Sequence, residues 1–255
     1  MNRTPPIDVR RILRKEVGFG CPVEGCGSPY LYWHHFDPTW EEKEHHNPDG
    51  MIALCAEHHK KADYGAFSKT QLKALKANCK DKNRIISGRF DWMRNDLLAV
   101  LGSNFFYEIP ILIQYKQSPV IWFNRDDNGY FLLNVRMLSG LREPRLIIED
   151  NYWISEGSPT ELESPPSGKS LKIVYDNGDM LRIEFTELKT SESLIKKYPG
   201  AIDHLPQIPF PITLIEIDME VGGTNIKFTP RKSTFLNMST QDCFSSKCSV
   251  GIRIN

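Results

Sequence analysis

The hydrophobic pattern divides the chain near residue 104. Before it, short amphipathic stretches alternate with irregular polar ones; after it come brief β-branched and aromatic runs separated by turns. Residues 8–17, DVRRILRKEV, predict a short basic helix opened by Asp8 and stopped by Gly18. The Gly- and Pro-rich FGCPVEGCGSPY that follows is too irregular for helix or strand and predicts a knuckle. YLYWHHF (30–36) alternates well enough for a strand, DPTWEEKEHHNPDG (37–50) is a polar loop, and MIALC (51–55) is a second short strand. AEHHKKAD (56–63) fits two turns of helix. Ser68 and Gln71 have capping-box spacing ahead of a helix whose face carries Leu72, Leu75 and Cys79. Phe90, Met93, Leu97 and Leu101 recur at helical spacing, which predicts another helix over 90–101, ended by Gly102.

Beyond residue 104, runs such as PVIWF, YFLLNV, LKIVY, MLRIEF and ITLIEIDM predict an all-β region. Sandwich, barrel and β-solenoid all remain open. Asn128-Gly129 and Asn177-Gly178 mark hairpin turns. A short helix is expected near 191–198, and SEGSPTELESPPSG (155–168) is expected to be a surface loop.

At 255 residues, 40% apolar and 25% charged, the composition is that of a globular protein. No apolar run reaches membrane-spanning length, and the N-terminus lacks the apolar core of a secretory signal. A cytoplasmic location without membrane contact is therefore expected, where clustered Cys and His suggest metal binding more than disulfides. Net charge is zero, yet Lys60 to Arg94 holds ten basic residues against three acidic ones. Such a run suits a phosphate backbone, and equally a solvated helix face.

Six of the seven histidines fall between residues 34 and 59. Cys21-x4-Cys26 and Cys55-x2-His58 are two pairs at zinc-knuckle spacing, separated by 28 residues. Tight turns bring each pair to a common centre, Gly25 and Gly27 free the backbone around Cys26, and a module this short gains from a metal in place of a large core. A structural zinc on Cys21, Cys26, Cys55 and His58 is expected. His59 follows a zinc ligand on the same short helix, so its ring points about 100° round the axis. A strand sends His34 and His35 to opposite faces, so one of them can meet His59. Cys243-x4-Cys248 has no second pair nearby and reads as two ordinary thiols, and His204 stands alone as a structural or solvent-facing residue.

CPVEGC, YLYWHHF, HHNPDG and MIALCAEHH, in that order, resemble the HNH endonucleases, whose ββα-metal fold carries a Cys pair, a strand ending in Asp-His or His-His, an Asn, and a Leu-Cys-x-x-Cys/His-His segment. The resemblance covers roughly residues 8–67. It implies that His35 is the general base, that His34 and His59 hold a catalytic divalent ion (Mg2+ or another), and that an Asn ligates metal or pins the loop. The family's Asn usually stands at the place of Gly50; Asn47 is the nearest substitute and Asp49 another candidate. His45 and His46 lie in the same loop and read as solvated, with the alternative that one of them helps hold the metal.

The expected fold is α+β: a zinc-stapled ββα-metal domain (1–67), a basic helical connector (68–103) and a β-rich recognition or regulatory domain (104–255). The resemblance implies a metal-dependent endonuclease acting on DNA, double-stranded rather than single-stranded. By analogy it works in restriction or anti-phage defence, with a regulatory protein or ligand at the β-rich part and a homodimer for double-strand breaks. The alternative is a non-catalytic zinc module that binds nucleic acid or a protein partner.

Overall fold

The computed structural model describes residues 2–78, 85–201 and 208–254. Its first part contains α1 (Ile7–Glu16), β1 (Leu31–His35), β2 (Met51–Cys55), α2 (Ala56–Asp63) and α3 (Lys69–Asn78). β1 and β2 pair antiparallel, with Leu31 opposite Cys55 and His35 opposite Met51, and α2 packs back on the hairpin. A single 3-10 turn, Pro48–Gly50, leads into β2. All of β2 is buried, and its side chains join Leu13, Val17, Leu31, Phe36, Ala62 and Leu72 in a small core. The capping box forms as the sequence predicts: Ser68 N–H donates to Gln71 Oε1 (2.8 Å) and Gln71 N–H to Ser68 Oγ (3.2 Å). Cys79 and His204 lie outside the described residues.

The rest is strands, with one further helix. They are β3 (Ile86–Arg89), β4 (Leu97–Leu101), β5 (Asn104–Tyr107), β6 (Ile111–Tyr115), β7 (Ser118–Arg125) and β8 (Phe131–Arg136). β9 (Ile147–Glu149), β10 (Tyr152–Ser155), β11 (Glu161–Glu163), β12 (Ser170–Val174) and β13 (Met180–Leu188) precede α4 (Ser191–Lys197). β14 (Ile212–Glu220), β15 (Lys227–Thr229), β16 (Lys232–Phe235), β17 (Met238–Thr240), β18 (Phe244–Ser246) and β19 (Val250–Ile254) complete it. One sheet runs β19-β6-β7-β8-β9-β10-β3; the other runs β11-β12-β13-β14-β15-β16-β17, with β4, β5 and β18 joined to it through β14. Alternate residues of both sheets meet in one core, among them Trp153, Ile121 and Val135 from the first and Ile183, Ile217 and Phe228 from the second. Two sheets over a shared core is a sandwich-like arrangement. The Asn128-Gly129 and Asn177-Gly178 turns close hairpins, with both glycines at positive φ.

Two expectations are corrected. No helix forms over 90–101: Leu97–Leu101 is β4, paired parallel to β14 and antiparallel to β5. Leu97, Ala99 and Leu101 face the shared core, while Leu98 and Val100 face a second cluster built with Leu194 of α4. A strand covered on both faces is apolar throughout, and over five residues such a run also satisfies helical spacing. The loop expected over 155–168 contains β11, the outermost strand of its sheet.

β11 is also where the first part meets the sheets. The Arg14 guanidinium, 4% exposed, donates to both carboxylate oxygens of Glu163 (3.0 and 3.1 Å), Arg11 pairs with Glu161 (3.2 Å), and Tyr30 makes a parallel bridge to Ser164. The Tyr30 hydroxyl donates to Arg89 O (2.7 Å) and accepts from Arg89 N–H (2.9 Å). Among the described residues of the basic run after Lys60, Lys61 pairs with Glu57, Lys69 and Lys73 with Asp37, Lys76 with Glu16, and Arg89 with Asp91. Among the described residues no helix is long and apolar enough to cross a membrane.

Candidate metal centres

The knuckle before β1 folds as a tight turn, with Cys26 N–H bonded to Val23 O (3.0 Å), Gly27 N–H to Cys21 O (3.3 Å), and Gly25 and Gly27 at φ 75° and 66°. It delivers Cys21 and Cys26 to Cys55, at the end of β2, and to His58 in the first turn of α2. Cys26 Sγ lies 3.7 Å from Cys55 Sγ, and His58 Nδ1 lies 3.4 Å from Cys21 Sγ and 3.2 Å from Cys55 Sγ. Zn–S and Zn–N bonds of ordinary length in a tetrahedron put ligand atoms about 3.8 Å (S to S) and about 3.6 Å (S to N) apart. All four donors lie within 4.8 Å of one another and fit that geometry, so the group could hold a metal ion such as zinc. Burial, together with the neighbouring thiols Cys55 and Cys26, pushes the Cys21 thiol up to about 12 against the pull of backbone hydrogen bonds. A cation at the centre reverses that balance, because it favours thiolate.

A second group stands on the other side of α2. His34 Nδ1 is 3.2 Å from Asp63 Oδ1, and His59 Nδ1 is 3.2 Å from Asp63 Oδ2; the two rings meet edge-on with centroids 5.2 Å apart. Two imidazoles and a carboxylate within 4.8 Å of one another form a mixed N/O donor set. The His34 side chain is 10% exposed and that of Asp63 36%, so the group is walled on the strand side and open on the helix side. Burial, then the charge of His59, lowers the His34 pKa despite Asp63. Asp63 is a residue that the two-histidine reading does not include, although it follows His59 by four and so shares its helix face.

His35 projects from the opposite face of β1. Its ring packs against Trp40 (4.8 Å), His45 (5.2 Å, perpendicular) and His46 (6.0 Å) and does not join the His34–His59–Asp63 group. Nε2 lies 3.0 Å from His45 O, and Nδ1 is buried without a partner. A carbonyl only accepts, so Nε2 carries the hydrogen and Nδ1 keeps its lone pair. Burial, then the neighbouring His45, lowers the His35 pKa to about 4, which keeps the ring neutral. Arg3 is a further depressing charge on both His34 and His35, so one ionic group is within electrostatic reach of both imidazoles.

Asn47 caps the 3-10 turn, its Oδ1 accepting from Asp49 N–H (3.3 Å), and its exposed side chain does not enter the second group. The solvated reading of the loop histidines fails for His45, which is 9% exposed with both ring nitrogens bonded. His46 stacks on Trp40 (5.5 Å), and its Nε2 donates to Asn2 O (3.0 Å). Gly50 has no room for a side chain: a Cβ there would lie 2.9 Å from His45 Cε1 and closer still to Asp37 O. Set beside protein-family models, curated proteins and solved structures, the chain matches none of them.

Proposed function

We propose that the chain is a metal-dependent endonuclease of HNH type that hydrolyses DNA phosphodiester bonds. One observation carries the reading: α2 places His58 in a thiol-rich, closed group and, one residue on, His59 with Asp63 in an open N/O group completed by His34. This is the division between a shape-holding site and a working site that the β-hairpin-plus-helix arrangement of the HNH family implies. Zinc is the ion suited to the first set. His34, His59 and Asp63 would hold the second ion, and their two imidazoles favour a first-row transition metal over Mg2+. When bound, it supplies Lewis-acid stabilisation of charge on the phosphate and the leaving 3′ oxygen.

The chain's own groups do the rest. The resemblance gives the role of base, taking a proton from the attacking water, to His35, whose Nε2–H is held by His45 O and whose Nδ1 keeps its lone pair. Phosphate contacts position without reading sequence, so selectivity falls to the β-rich part.

The test is plasmid nicking with Mn2+, Ni2+, Co2+, Zn2+ and Mg2+, comparing the wild type with His35→Ala and Asp63→Asn. Both variants are expected to lose at least about a hundredfold in rate while keeping the zinc of the thiol-rich site. Undiminished cleavage by His35→Ala removes the assigned base. No cleavage of DNA or RNA by the wild type under any of these metals favours a zinc module that only binds.

A further inference from the structure

We infer that His45 is the positioning residue of the candidate site: it stands in for the missing side chain at position 50 and sets the tautomer and place of His35. Its kinetic consequence rests on the nuclease reading; its spectroscopic consequence does not.

The bonds around the His45 ring admit one protonation state. Nε2 lies 2.9 Å from Pro38 O, which can only accept, and Asn47 N–H donates to Nδ1 at 3.1 Å. Only the neutral ring protonated on Nε2 satisfies both. The ring therefore ties the chain just after β1 to the turn that leads into β2, across the mouth of the hairpin. Its own carbonyl, held by that tie, meets His35 Nε2 at 3.0 Å, and the two rings pack perpendicular at 5.2 Å.

The ring, with the Asp37 backbone, also accounts for Gly50. The space a side chain at 50 would use is taken by His45 Cε1 and by the Asp37 backbone. Gly50 O in turn accepts from Phe36 N–H (2.9 Å) and Asp37 N–H (3.2 Å), closing the hairpin beside His35. In this chain the pin enters from the loop, and glycine at position 50 leaves room both for it and for the closer Asp37 backbone.

The experiment reads imidazole 15N–1H correlations of the zinc-loaded protein, with His35 and His45 assigned by single His→Gln variants, alongside nicking kinetics. In the wild type both rings are expected as neutral Nε2–H tautomers. In His45→Ala the His35 nitrogens are expected to move toward the tautomer average, and kcat to fall about 10–100-fold with KM within about twofold, the scale at which supporting hydrogen bonds act. His45→Gln keeps a donor for Pro38 O and loses the acceptor for Asn47, so its changes should run the same way and be smaller. An unchanged His35 spectrum in His45→Ala overturns the inference, as does a raised KM with kcat intact, which would make His45 a substrate contact. If His45→Ala does not retain zinc, His45→Gln decides by the same spectrum. If the wild type cuts nothing, the nuclease reading fails alone and the tautomer comparison still decides.

Discussion

Installing at position 50 the asparagine that HNH enzymes usually carry there should damage this protein. In Gly50→Asn the new Cβ would meet His45 Cε1 at 2.9 Å and Asp37 C at 3.0 Å, with Asp37 O closer than either. Those atoms are backbone and a ring pinned at both nitrogens, so relief requires the strand end and the loop to separate. Separation weakens two backbone hydrogen bonds to Gly50 O, at about 1 kcal/mol each. Overpacking adds about 1–3 kcal/mol. The total is about 3–5 kcal/mol, which for a protein of this size lowers Tm by roughly 10 °C. Differential scanning fluorimetry of wild type, Gly50→Ala and Gly50→Asn measures it, and both variants should fall because the clash begins at Cβ. A Gly50→Asn protein with wild-type Tm and equal or faster nicking would refute the steric argument and, with it, the assignment of that space to His45.

Two more outcomes follow from the geometry. Cys55→Ser should cost a full equivalent of zinc by elemental analysis and lower Tm sharply, because the thiolate-bound metal contributes directly to folding; retention of the zinc would remove the tetrahedral assignment. Asp179, fully buried, is pushed up by burial, but hydrogen bonds from Asn177, Arg145, Ser139 and Gly222 N–H outweigh this and hold it below the usual carboxylate range. A folded pKa below the unfolded one contributes stability above about pH 4 that is lost as pH falls through the folded value. Asp179→Asn should therefore be about 3 kcal/mol less stable than wild type near neutrality, with the gap closing in acid; a gap independent of pH would show that the charge contributes nothing.

The parts of the fold that local pattern determines were readable. β1 and α2 lie where the alternation of YLYWHHF and the helical reading of AEHHKKAD put them, because a hairpin and the helix after it are built from near neighbours. β4 was not, since LLAVL is apolar at every position and only its place between β14 and β5 reveals two buried faces. That parallel pairing joins segments more than a hundred residues apart, and no local signal announces it. In the site, the Cys3His spacing was sufficient for the first group. Asp63 had a signal in its four-residue offset from His59, whereas the burial of His45 depends on the loop's path back to Pro38 and has none. The in-chain pairing of Lys73 and Lys76 could not be read locally, because their partners Asp37 and Glu16 are distant in sequence.

The contacts of α1 and Tyr30 with β11 and Ser164 have a consequence beyond joining two regions. A short terminal strand such as Glu161–Glu163 offers unpaired amides and carbonyls to any passing chain, an invitation to aggregate. Here that rim is met by the part that carries the Cys3His group, through the Arg14–Glu163 clasp and the Tyr30–Ser164 bridge. The small N-terminal piece thus serves its larger neighbour as a hem, and a fragment cut free of it would carry a raw border.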